Sequence, residues 1–380
     1  MRRGEASPLL NTICTVFFAV FVFIYIFAFQ KDMLFYAQHV LSEGNTVFQP
    51  LIGALIITML GVLLALCVVR PLCRHLYKLP ALYFVPSALI LAALTDIHVV
   101  PFGSQSVFGH IWIVAAVLLV LFCFVDRLMK NMPIATGYSS STDQLGVICM
   151  NLFVMLFILC GMISMGNTNE IDHMHMKAQS ALRGRQYEEA SLVGKWEGCS
   201  SEKLTMIRGY ALGKCGQLGE HFFEYPIAGN SSALLPTKNN RLEVFPEMRL
   251  YQFIGGIPNE GMDARECLRL LEKRGCLRSE AKDYLYIACL IDKDIDAFAR
   301  YLEQDYDTTM VLPKHYREAL TLHNHLRANP VIEYSLPEME ADFADFQEMI
   351  KKNPDKVLRE SALRDSYGNT YWYYYYFRKE

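Results

Sequence analysis

The sequence predicts an all-α protein in two parts. Residues 1–165 read as a transmembrane bundle of five spans, and residues 166–380 as an extracytoplasmic α-helical repeat domain. Three observations carry this. The chain has 380 residues, 52% of them hydrophobic. Its charge is unevenly spread: residues 1–165 hold 8 Lys/Arg and 6 Asp/Glu, and the rest hold 28 and 33. From Ile171 onward the apolar residues recur with a helical period near 3.6. A soluble single domain, a disordered chain and a small disulfide scaffold are excluded by this pattern. Nucleic-acid binding is not expected, because the charged half is acidic and has no basic stripe.

A helix crossing about 30 Å of hydrocarbon needs roughly 20 mostly apolar residues. Residues 9–29, 50–69, 108–125 and 145–165 meet this requirement. Residues 79–94 are shorter and carry Pro80 and Pro86, which neighbouring helices can accommodate. They are taken as the third of five spans. The first span has an apolar run too long for a cleaved signal peptide and lacks a small-x-small site after it.

Lys and Arg favour the cytoplasmic side of short loops. Arg2, Arg3, Arg70, Arg74, Lys78, Arg127 and Lys130 fall on one side, and only Lys31 on the other. The N-terminus is therefore expected inside, and an odd number of spans puts residues 166–380 outside. A contact with membrane lipid follows from the spans themselves. No ionisable residue falls at mid-span, so ion-coupled transport is the weaker reading and an anchoring bundle the plainer one.

In the charged half, three stretches share one logic: Ala178 to Ala190, Leu204 to Phe222, and Tyr284 to Phe298. Each has an apolar helix face, a small or polar break and a second apolar face, as in an αα-hairpin. They resemble degenerate tetratricopeptide repeats, most clearly around Gly184 to Ala190, although no 34-residue period holds, and an irregular helical bundle is the alternative. Tyr187, Tyr210, Tyr284, Tyr371 and Trp372 are the candidate partner-binding residues. Between Pro226 and Pro258 the pattern lapses into a Pro-, Asn- and Gly-punctuated connection, which either lines a groove made by the stacked hairpins or stands where a repeat is lost or shortened. The chain ends in seven consecutive aromatics, Tyr371 to Phe377. A last packed helix is the plainest reading of that run. A membrane-interface contact or ligand recognition are the others.

Lys282 to Leu322 (with Leu312, Pro313, His315, Tyr316, Glu318, Ala319 and Leu320), Gly216 to Pro226, and the ending Tyr367 to Tyr373 together carry a family resemblance. They resemble an uncharacterised family of bacterial multi-span membrane proteins with a C-terminal tetratricopeptide-like domain. The resemblance implies that fold and a location in the bacterial inner membrane, with the C-terminal domain periplasmic. It implies no activity and no site residues.

Candidate chemistry is sparse. Of eleven Cys, six lie in or beside the spans, and Cys199, Cys215, Cys267, Cys276 and Cys289 form no C-x-x-C pair. His173, Met174, His175 and Met176 suggest a soft metal such as Cu(I). However, residues two apart on a helix point away from one another, so no metal site is assigned. His315, Glu318, His323 and His325 lack H-E-x-x-H spacing, and an ordinary surface pair of His315 with Glu318 is expected. Asp96 and His98, in an outer loop, are the residues a membrane-embedded transferase would use. No catalytic residue and no cofactor are assigned. The reading is a non-catalytic scaffold that binds a protein or peptide, with enzyme and transport component as alternatives.

Overall fold

The computed structural model describes residues 8–73, 76, 79–99, 107–129, 141–196, 198, 200–238, 240–259, 261–305 and 311–378. Among the orientation markers, Arg2, Arg3, Arg74, Lys78 and Lys130 lie outside these, as does Cys199. Every regular element in the described residues is helical, apart from an isolated bridge between Ile97 and Phe108. The chain divides into two units, Met1–Met176 and Lys177–Glu380.

The first unit is built on α1 (Pro8–Leu41), α2 (Pro50–Leu72), α3 (Pro80–Thr95), α4 (Ile111–Met129) and α5 (Ser141–Met165). Four of these, α1, α2, α4 and α5, are long and apolar enough to cross a membrane. α3 is shorter, opening with a 3-10 turn at Pro80–Phe84. Its neighbours fix its course. The N–H of Ala81 donates to Asn151 Oδ1 (3.2 Å) partway along α5, and the N–H of Asn167, just past α5, donates to Thr95 O (2.9 Å). α3 and α5 therefore run side by side in the same direction.

α1 is interrupted by a π-helical turn at Tyr25–Gln30. This turn meets the same end of the bundle, since Gln30 Nε2 donates to Asn167 O (3.1 Å). Pro8 and Asn167 consequently lie at opposite ends, separated by roughly 33 Å of helix at 1.5 Å per residue. Gly166 is required at this junction, because a Cβ there would come within 2.7 Å of Thr95 Oγ1 and Tyr25 OH.

α6 (Glu170–Arg183) carries the chain from one unit to the other. In the second unit follow α7 (Tyr187–Leu192), α8 (Glu202–Cys215) and α9 (Leu218–His221). Next come α10 (Glu247–Ile254), α11 (Ala264–Lys273), α12 (Lys282–Ile291), α13 (Ile295–Asp305) and α14 (Lys314–Leu326). α15 (Pro337–Lys352), α16 (Lys356–Tyr367) and α17 (Tyr371–Phe377) complete the unit.

The helix ends follow local rules. Ser201 caps α8 by accepting the Leu204 N–H, and Gly216 closes it at φ 67°, a left-handed conformation that glycine adopts without Cβ strain. Asp263, Asp355 and Thr370 cap α11, α16 and α17 in the same way. From α11 to α17 each helix packs on the next, and α17 also folds back on α14. The core is aromatic: Tyr210, Phe245, Phe253 and Tyr284 meet edge-on or tilted within 6 Å of their neighbours.

Candidate functional site

The connection predicted between Pro226 and Pro258 contains a 3-10 turn (Ser231–Leu234) and α10, and side chains of the helical core pin it in place. Buried Arg208 donates to Val193 O and Pro226 O, and its guanidinium lies over the Tyr225 ring. Thr205 Oγ1 exchanges hydrogen bonds with the backbone of Ala228. Farther along, Gln179 Oε1 accepts the N–H of Val244 at 2.9 Å, and Lys203 pairs with Glu243.

This pinned segment lines two adjoining clefts that share Ser232, with volumes of about 560 and 920 Å³. The smaller is walled by Glu202, Asn230, Asp292, Lys293, Tyr374 and Arg378. Arg378 donates to Gly229 O (2.7 Å) and to Tyr374 OH (2.8 Å), and Lys293 Nζ donates to Arg378 O (2.9 Å). Asp292 Oδ1 accepts the N–H of Ser231 (3.0 Å). Burial pushes the Tyr374 hydroxyl up to about 12 against the pull of Arg378, so it stays a donor and holds Ile291 O at 2.8 Å. The larger cleft presents Thr237, Lys238, Arg241, Tyr251, Met262 and Asp263. Both clefts offer donors, acceptors and charges of either sign.

The C-terminal helix supplies one wall of the smaller cleft, and a buried cluster fixes that helix. His315 Nε2 accepts the Phe223 N–H (3.2 Å), so Nδ1 carries the proton and donates to Glu318 Oε2 (2.9 Å). The same oxygen accepts the N–H of Tyr371 (2.7 Å), and Trp372 Nε1 donates to Glu318 O (2.7 Å). His315 and Glu318 thus meet at i,i+3 as expected, but inside the core rather than on the surface, because Phe223, Tyr371 and Trp372 cover them. His323 and His325 go elsewhere, to Asp296 and Glu340.

Of the five aromatics expected at a partner surface, Tyr187 is half-buried and stacks edge-on against Tyr210. Tyr210, Tyr284, Tyr371 and Trp372 are at most 2% exposed. Their rings build the core, so the cleft-facing residues are different ones. Lys293 and Arg378 were not singled out by the sequence. The one signal for them was position, in the turn after α12 and directly after the aromatic run.

In the first unit, Asp96 and His98 come together. Asp96 Oδ1 lies 3.0 Å from His98 Nε2, and Asp96 Oδ2 accepts the Ile111 N–H at 2.9 Å, capping α4. Beside them, Tyr25, Gln30, Thr95 and Asn167 form a buried hydrogen-bonded knot. His173 Nε2 contacts Asn167 O at 3.1 Å. Met174, His175 and Met176 are buried on α6. Among the described residues no three His, Cys, Asp or Glu gather as a metal site would need.

The comparison with known families bears on the second unit. Residues 263–378 are similar to DUF6057, a family of unknown function. The match begins at the Asp263 cap of α11 and ends at Arg378, taking in α11–α17 and the Lys293, Tyr374 and Arg378 wall. No curated protein and no solved structure matches the chain.

Proposed function

We propose that this protein is a membrane-anchored, non-catalytic scaffold of the bacterial envelope. In this reading five spans carry a tetratricopeptide-like domain on the periplasmic side, where it holds a protein or peptide. The observation that carries the binding role is the pair of adjoining clefts along the pinned 226–263 segment, joined at Ser232. Stacked helical hairpins with a polar concave face suit extended chains. The five-span count is supported by the course of α3, which accompanies α5 from Asn151 to Asn167. The opposite placement of Pro8 and Asn167 supports an odd number of spans between them, and the inside–outside sense rests on the Lys and Arg of the short loops.

Two measurements test this reading. Cys276 is the exposed thiol of the second unit among the described residues. A membrane-impermeant maleimide should label it in intact spheroplasts, and Cys276→Ala should remove that label. Labelling only after lysis overturns the periplasmic placement. A photo-crosslinking amino acid at Ser232 or Lys238 should capture a discrete partner, whereas one on the exposed face of α16 should not.

One observation favours a second reading. The Asp96–His98 pair, with a buried acid orienting a largely exposed imidazole, is the arrangement a general base would use. An enzyme of that kind requires His98, and the scaffold does not.

A further inference from the structure

Between α3 and the second half of α4 runs a groove of about 320 Å³. Buried Leu76 and Leu89 and half-buried Leu82, Val85, Leu118 and Phe122 line it, and Asp126 stands at one end. Its mouth is formed by Leu121 and Val125, which are exposed and continuous with exposed Val117, Val120 and Phe124 on the same helix.

The groove runs between two helices that do not close on one another, α3 lining it with Leu82, Val85 and Leu89 and α4 with Leu118, Leu121, Phe122 and Val125. α3 begins beside Asn151 rather than at the start of α5. Among the described residues no side chain fills the space between α3 and the last turns of α4. Water does not fill such a space, because an ordered water needs two to four polar partners and an apolar cavity stays dry. Leaving it empty forfeits the dispersion contacts of every lining side chain.

Resting on the membrane reading above, we infer that this groove seats one acyl chain of a phospholipid from the leaflet at the Asp126 end of α4. The chain lies along Leu118 to Val125, about 10 Å of helix, and fills the space between α3 and α4.

The test uses the full-length protein in vesicles of phosphatidylethanolamine and phosphatidylglycerol. The vesicles are doped with a phosphatidylethanolamine carrying a diazirine in its acyl chain. After photolysis, adducts should be several-fold more abundant on peptides containing Leu82–Leu89 and Leu118–Val125 than on the exposed face of α2 around Leu55 and Met59. Leu118→Trp should fill the groove and lower its labelling to the α2 level while leaving α2 unchanged. Val85→Phe serves the same purpose if the Trp variant loses its melting transition. Equal labelling of both faces, unaltered by filling, overturns the proposal in favour of ordinary boundary lipid. Absence of adducts on α2 as well overturns the membrane reading instead.

Discussion

Glu318 Oε2 accepts the backbone N–H of Tyr371 at 2.7 Å across 53 residues of chain. The C-terminal helix is thereby tied to α14 by a buried carboxylate whose second donor is His315, and beside it by Trp372 Nε1 donating to Glu318 O. α17 in turn carries Tyr374 and leads to Arg378 at the smaller cleft, so the carboxylate sets the position of that cleft wall from a distance.

Removing this acceptor should therefore cost stability and cleft geometry together. Glu318→Ala strands two buried donors, at roughly 1–3 kcal/mol each, so a loss of about 3 kcal/mol is expected. Glu318→Gln keeps an acceptor oxygen and should lose much less. Melting temperature gives the first readout. Trypsin cleavage at exposed Arg364 gives the second, and it should accelerate in the Ala variant and hardly change in the Gln variant.

Two tyrosine hydroxyls in the same core make opposite predictions. Tyr284 OH is fully buried with no hydrogen-bond partner among the described residues, whereas Tyr374 OH caps the last turn of α12 at Ile291 O. An unmet buried hydroxyl is a cost, while a met one contributes about 1 kcal/mol. Tyr284→Phe should leave stability unchanged or raise it. Tyr374→Phe should lower it by about 1 kcal/mol, or roughly 2–4 °C for a unit of this size. A drop for Tyr284→Phe equal to that for Tyr374→Phe would contradict the burial of an unpaired hydroxyl.

Asp283 gives a pH-dependent prediction. Burial raises its carboxyl above the ordinary 3.8, and the hydrogen bond from Tyr316 OH (2.7 Å) only partly offsets this. The folded protein therefore keeps this proton to higher pH than the unfolded chain does. The stability linked to it is full below the ordinary carboxyl range and declines as pH rises through the raised value. Asp283→Asn abolishes the titration while keeping an acceptor for Tyr316. The variant should thus gain on the parent protein as pH rises from the ordinary carboxyl range through the raised value, and keep a constant margin above it, measured by thermal unfolding. A difference that stays flat with pH would argue against the buried carboxyl.

What could be read in the sequence was local, and what could not was set by partners far along the chain. The four long apolar helices were legible because length and hydropathy are properties of a segment alone. The course of α3 was not, since it depends on Asn151 and Asn167, about 70 residues away. The pairing of His315 with Glu318 followed from i,i+3 spacing. Its burial did not, because Phe223, Tyr371 and Trp372 come from two other elements. Tyr210, Tyr284, Tyr371 and Trp372 show the same limit: an amphipathic ring suits a core and a binding face equally, and only packing decides between them. The cleft depends on Arg378 reaching Gly229, 149 residues earlier, a relationship that no motif encodes.

The Asp96–His98 pair is where scaffold and enzyme readings part most sharply. Asp96 Oδ2 caps α4 at Ile111, and both side chains fit only because residue 109 is glycine; a Cβ there would run into Asp96 and His98 together. Losing a cap costs about 0.5–2 kcal/mol, so Gly109→Ala and Asp96→Ala should each lower the melting temperature of the bundle. Asp96→Asn retains the capping oxygen and should be nearly silent in stability, as should His98→Ala, whose ring is largely exposed. In the scaffold reading these two mild variants also leave cellular function intact, because the acid serves the helix and not a reaction. Function lost in His98→Ala and in Asp96→Asn, with melting unchanged, would mean that the pair moves a proton and that this end of the bundle is an active site.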